Sequence, residues 1–255
     1  MPGPILFARF AYPPNALGYC GPADHRAVLE HAATGSADRE LYELAAGFAG
    51  AWPYLQLIAG SAGVADPLDA DVVEAYWIGN RLLGRCEPRW LAASVDERFA
   101  LRLGTDRETV TSLAAMGGVP HHSFHVICVS PWVGLLRAGF TDAPLTTMDQ
   151  CRIRTGFVLT ADDAAATVAT DRLAWDGERL SVQHGAVEVV HASAAGYDLA
   201  GPIAIGDRVA IHWGWICDRL DAHRAGRLAE FTARSLRAVN ASARPKLAGA
   251  VASSA

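Results

Sequence analysis

The residues best able to do chemistry in this 255-residue chain are its cysteines and histidines. The five cysteines, Cys20, Cys86, Cys128, Cys151 and Cys217, are an odd number with no CxxC pair. That argues against a disulfide framework or a zinc ribbon, and leaves each thiol to be judged by its own surroundings. The segment Pro120-His121-His122-Ser123-Phe124-His125-Val126-Ile127-Cys128 gathers four potential metal ligands. On a helix, His121 and His125 share a face with Cys128 one turn further on, which makes a candidate metal set. On a strand, which the β-branched content favours, His121 and His125 take one face while His122 and Cys128 take the other, and the set splits. A second concentration, Ala11 to Pro22, is dense in Pro, Gly and aromatic residues and reads as a structured loop. From it Cys20, with His25 beyond, can approach a site lined by other residues.

Common catalytic signatures are missing. The sequence has no Walker phosphate loop, no GxGxxG after a strand, no HExxH and no GxSxG elbow, so nucleotide, zinc-protease and serine-hydrolase readings lack a warrant. A content of 51% hydrophobic and 19% charged residues is that of a folded soluble protein. The net charge of -5 gives no general electrostatic reason to bind nucleic acid or an anionic membrane. No apolar run is long enough to cross a bilayer, and the first residues lack the regions of a secretion signal. These features point to the cytoplasm, where thiols stay reduced.

The elements that must position the chemistry fall into two kinds. From Ala23 to Met116 the periodicity is helical, with Leu41, Leu44, Ala45, Phe48, Trp52 and Leu55 forming one apolar face that Pro53 kinks or divides. Asp69 to Leu83 reads as a second helix, and Glu87-Pro88 as a change of direction. A polar link at Thr141 to Thr146 then leads into short β-rich runs. Ile153, Phe157 and Leu159 suggest a strand with one apolar face, and Asp176-Gly177 signals a hairpin. Ala186 to His191 and Arg208 to Trp215 are further strand candidates, and so many short strands favour a small barrel. From Asp221 to Val239 the period is helical again, with Leu220, Leu228, Phe231 and Val239 on one side, and the Ala/Ser-rich residues 241-255 read as a flexible tail.

Two motifs in the β-rich part carry a resemblance. The first is Cys151-Arg152-Ile153-Arg154-Thr155-Gly156-Phe157-Val158, a Cys followed by Gly and a strand. The second is Ile205-Gly206-Asp207-Arg208-Val209-Ala210-Ile211-His212-Trp213-Gly214-Trp215, followed by an acidic turn and a helix. In this order and at this separation, residues 151-239 resemble the HypC-type chaperones of NiFe-hydrogenase assembly. The resemblance implies an OB-like barrel that presents a thiol and an imidazole to an iron-cyanide-carbonyl fragment, with Cys151 and His212 as the cofactor-binding and metal-ligating residues. A thiolate is a soft ligand suited to low-spin iron, and an imidazole is a borderline ligand or a proton-accepting neighbour.

The expected fold is therefore α+β: a mainly helical domain (1-144) for recognition or docking, an OB-like barrel with a trailing helix (145-240), and the tail. The expected function is handling of the iron fragment, with a hydrogenase large-subunit precursor or another maturation protein as partner. Trp213 and Trp215 read as packing or partner-contact residues, and Cys217 as a residue of the barrel seam. A thiol-dependent or metal-assisted enzyme working at an interdomain cleft, and a purely structural hydrogenase partner, are the competing readings.

Overall fold

Short polar caps, glycines and prolines cut the first part of the chain into helices. The computed structural model describes residues 1–103 and 107–242, the side chains of 98–108 excepted. The helices are α1 (Gly3–Ala16), α2 (His25–Thr34), α3 (Arg39–Ala46), α4 (Trp52–Ala62), α5 (Ala70–Trp77), α6 (Pro88–Leu103), α7 (Arg107–Ala115), α8 (His122–Phe124), α9 (Trp132–Arg137) and α10 (Asp142–Cys151). Asp24, Asp38 and Asp69 cap α2, α3 and α5 by accepting backbone N–H bonds from their first turns. Pro53 falls in the first turn of α4, where its missing N–H costs nothing, so it starts a helix rather than kinking one. The helix expected over Asp69 to Leu83 is shorter: α5 stops at Trp77, Gly79 turns at φ +100°, and Arg81–Arg85 forms a 3-10 turn.

Two further expectations are corrected in this region. Of the segment Ala11 to Pro22 read as a loop, the first half is the end of α1, with Pro13 and Pro14 inside the helix and nearly every α1 side chain buried, while residues 17–22 form the turn. The His-rich segment read as a strand is helical, α8 running on into a π-helical turn, His125–Val129. Packing overrides β-branched propensity there, since Val126, Ile127, Cys128 and Val129 are all buried.

The strands β1 (Arg154–Ala161), β2 (Ala165–Trp175), β3 (Leu180–His191), β4 (Arg208–His212) and β5 (Trp215–Leu220) close into a barrel in the order β1-β2-β3-β5-β4, with β4 pairing back to β1. Neighbours are antiparallel except β3 and β5, which meet in parallel at His191 and Trp215. This is an OB-like barrel, so the α+β fold class expected from the sequence is the one observed. Asp176-Gly177 makes the β2–β3 hairpin as read, with Gly177 at φ +101°. The apolar face assigned to β1 is reversed: Phe157 and Leu159 are exposed, and Arg154, Gly156 and Val158 point inward. The segment Arg208 to Trp215 is not one strand but the hairpin between β4 and β5, turning at Trp213-Gly214.

Helix α11 (Ala222–Ala241), capped by Asp221, lays Leu228, Phe231 and Val239 against the remainder of the molecule as the periodicity indicated. The flexible tail expected over 241-255 lies outside the described residues from 243 onward. The barrel holds a small interior cluster built on Val158, Val168, Val190, Val209, Ile211 and Ile216. A larger cluster runs from α1 through the other helices to Leu173, Leu180, Cys217 and Leu220 of the barrel and on to α11. The polar link expected at Thr141 to Thr146 belongs instead to α10, which crosses position 144/145 and delivers the chain directly to β1.

Candidate functional site

Cys151 is the last residue of α10, not the first of a strand, and His212 is the last residue of β4. The Trp213 N–H donates to the Gln150 carbonyl at 2.9 Å, tying the end of β4 to the residue before Cys151. With that tie in place, one ring nitrogen of His122, the Cys151 sulfur and one ring nitrogen of His212 all lie within 4.8 Å of one another. The three line a cavity of about 180 Å3 together with Cys20, Tyr76, Trp77, His125 and Trp213. Helical region and barrel thus both contribute walls.

His212 is 1% exposed, and its tautomer follows from its partner. Nδ1 lies 2.7 Å from the Phe10 carbonyl, which can only accept, so Nδ1 carries the hydrogen. Nε2 then holds a lone pair, and it is buried with no hydrogen-bond partner. Pro14 explains why the Phe10 carbonyl is free to receive His212. In a regular helix that carbonyl would accept from the N–H four residues on, and Pro14 has none. An imidazole fixed by a backbone carbonyl through one nitrogen, with the other unpartnered, is arranged as metal-ligating histidines are. Burial lowers the pKa of His212 to about 4, against the smaller favourable pull of the Phe10 and Cys151 carbonyls, so the ring is neutral at physiological pH.

His122 has a different task. Its Nε2 donates to the Cys151 carbonyl at 2.8 Å, and its Nδ1 accepts from the Tyr76 hydroxyl at 3.1 Å. The Cys151 carbonyl is one of the orphan acceptors that every helix leaves at its C-terminus, and His122 satisfies it. Both nitrogens are therefore committed, and His122 positions Cys151 rather than donating to a metal. Burial, reinforced by neighbouring imidazoles, pushes its pKa well below the usual histidine value.

Burial pushes the Cys151 thiol up to about 12, with nearby Cys20 adding to the rise and the Trp213 indole opposing it. A helix C-terminus is also the negative end of the helix dipole and does nothing to favour a thiolate. Trp213 itself adopts φ +51°, a conformation seldom taken by a bulky residue, in a hairpin turn completed by Gly214 at φ +82°. Its ring stacks on Tyr19 at 4.0 Å, so the strained residue joins the loop carrying Cys20 to the end of β4.

The lower-ranked candidates His121, His125 and Cys128 do not assemble. His121 caps the α8 turn through Nδ1 to the Ser123 N–H and stacks on Phe231 at 5.1 Å. His125 meets the Tyr54 hydroxyl at 3.2 Å, and Cys128 bonds the Ser235 carbonyl at 3.4 Å. Spacing of four singled out His121 and His125, whereas the residue that reaches Cys151 is His122 between them. Cys217 is fully buried in the barrel seam as expected, and Trp215 packs on His191 at 4.6 Å. The arginines flanking Cys151 serve structure: Arg152 bonds Asp149 at 2.8 Å, and Arg154 reaches Glu188 at 2.5 Å.

A family model matches residues 1–246, spanning the helical region, the barrel and α11. The chain belongs to that family, a family of unknown function (DUF6390). No curated protein and no solved structure matches the chain. The DUF6390 match includes Cys20, His122, Cys151 and His212, so residues from both walls of the cavity lie within it.

Proposed function

We propose that this protein is a NiFe-hydrogenase assembly factor that holds an iron-cyanide-carbonyl fragment at Cys151 and His212 and docks on a large-subunit precursor or another maturation protein. The observation that carries the reading is the unpartnered, buried Nε2 of His212, on a ring that brings one nitrogen within 4.8 Å of the Cys151 sulfur, at the two motifs that resemble HypC-type chaperones. The fragment is cargo, with the thiol supplying the soft ligand and the imidazole a second donor.

The state of the thiol favours carriage over covalent catalysis. Nucleophilic cysteines have depressed pKa values, and Cys151 is raised to about 12. A metal displaces that proton where an organic substrate does not.

The test is anaerobic purification from a hydrogenase-producing host, with iron analysis and infrared spectra in the cyanide and carbonyl stretching region. Wild type is expected to carry the bands, and folded Cys151→Ala and Cys151→Ser to lack them, while Cys217→Ala keeps them. Retention of the same iron complex by folded Cys151→Ala would make the barrel a docking module instead.

A further inference from the structure

We infer that Cys20 is a second thiol donor to the cavity, so that the site offers a thiophilic metal two sulfurs and the His212 Nε2 lone pair from three separate stretches of the chain. The inference rests on reading this cavity as the place where a metal fragment is held. It extends the donor set from α10 and β4 to the turn after α1.

Four observations lead to it. Cys20 lines the same cavity as Cys151, His122 and His212, although the residue as a whole is exposed. That turn is held on both sides of the thiol. Asn15 Nδ2 donates to the Cys20 carbonyl at 2.8 Å and to the Pro22 carbonyl at 2.7 Å, and Tyr19 stacks on Trp213. Gly21 stands at φ +92° with the Phe48 ring so close that a Cβ would sit 2.4 Å from it, so the turn is pressed against the cavity wall. Independently of Cys20, the His212 Nε2 lone pair is buried without a partner and calls for a ligand.

Of the other polar groups around the cavity, the indole N–H groups of Trp77 and Trp213 are buried without a partner but can only donate, so they are no metal ligands. His122 uses both nitrogens, and the Tyr76 hydroxyl bonds His122 and lies 3.2 Å from the Gly50 carbonyl. Cys20 is not one of the three donors within 4.8 Å of one another, so it stands farther than that from at least one of them and closes on the metal as the metal binds. The 180 Å3 is well above the ~10–15 Å3 that admits one water, which leaves room for a metal carrying small ligands of its own. Although Cys20 is an exposed residue, the protein packed around its sulfur displaces water and pushes the thiol up to about 11. On binding, the metal takes the place of the proton at each sulfur. Two protons go to solvent, and no electron moves.

The test uses the purified full chain under anaerobic conditions with cobalt(II) as probe, because the sulfur-to-cobalt charge-transfer band grows with the number of thiolates bound. Wild type and Cys217→Ala are expected to show a two-thiolate band. Cys20→Ala and Cys20→Ser should each show about half that intensity with cobalt affinity lowered at least about 10-fold, and Cys20→Ala/Cys151→Ala none. Circular dichroism establishes that each variant is folded, and the near-isosteric Cys20→Ser guards against a loss that is merely structural. A full-strength band in Cys20→Ala, a one-thiolate band in wild type, or no cobalt uptake by wild type overturns the inference. The infrared experiment on the iron fragment separates it from the assembly reading. A two-thiolate cobalt site in a protein without those bands keeps Cys20 as a ligand and removes the hydrogenase role. Bands with a one-thiolate site do the reverse.

Discussion

Among the described residues, two places bring three potential metal donors within 4.8 Å, and they differ in almost every other respect. In the cavity, His122, Cys151 and His212 are enclosed, and the thiol and both imidazoles are held in their neutral forms by burial. At the edge of the protein, a buried His31 faces Asp38 at 3.8 Å and Glu40 at 3.6 Å, carboxylates whose side chains are 55% and 66% exposed. Asp38 already serves as the cap of α3, accepting from the Leu41 N–H at 3.2 Å. Water and the helix end satisfy the surface group, whereas the cavity group has a lone pair that nothing in the protein meets. Proximity of donors is common to both. The unmet buried lone pair is what distinguishes a site from a solvated cluster.

The sharpest way to break that contrast is acid. His121, His125 and His212 have pKa values lowered to about 3, 4 and 4 by burial, and His122 is pushed down in the same way. An unfolded histidine titrates near 6.5. Above that value neither state is protonated and stability is complete. Below it the unfolded chain takes up protons that the folded chain refuses, so stability falls as pH falls. Each such histidine contributes about 1.4 kcal/mol per pH unit until its folded pKa is reached. Urea unfolding at pH 7.5, 6 and 5 is expected to show a midpoint that drops steeply below about pH 6.5. A flat midpoint across that range would mean the imidazoles are not buried as described.

A smaller effect, and a more selective one, is expected from Pro14→Ala. The substitution restores an N–H that competes with His212 for the Phe10 carbonyl, so the imidazole loses its fixed tautomer and orientation. Changes to groups that orient a ligand typically cost about 10-fold to 100-fold in metal affinity. Removing a proline from a helix interior does not by itself destabilise the helix. Cobalt affinity should therefore fall by about 10-fold while the urea midpoint holds or rises. Loss of stability with unchanged affinity would assign Pro14 to packing alone.

What the sequence allowed to be read follows from the same physics. The barrel was legible because Asp176-Gly177 carries turn chemistry that is local between short β-rich runs, and α11 because its apolar stripe lies within one segment. Cys151 and His212 were legible only through the two motifs, since nothing local says that β4 ends beside α10. His122 was passed over because helical spacing favours His121 and His125, and the turn that holds His125 and Cys128 is π-helical rather than α-helical. Its signal was the tyrosine and the helix-end carbonyl it bridges, neither of which is near it in sequence. The end of α1 was misread because Pro13 and Pro14 normally mark a break, and their missing N–H groups leave a carbonyl for a histidine some two hundred residues away.

The smallest expected effect lies on the surface. Asp38→Asn keeps an oxygen that can accept from the Leu41 N–H, so the cap of α3 survives while its charge is removed. Glu40→Gln removes the other carboxylate near His31 without changing its shape. Exposed ion pairs are worth about 0–1 kcal/mol, so the double variant should shift the urea midpoint only slightly. It should leave cobalt uptake unchanged, because oxygen donors that water already solvates offer a thiophilic ion little that water does not. If cobalt affinity instead fell by as much as it does in Cys20→Ser, the metal would be binding at His31, and the distinction between an enclosed donor set and a solvated one would fail at its weaker member.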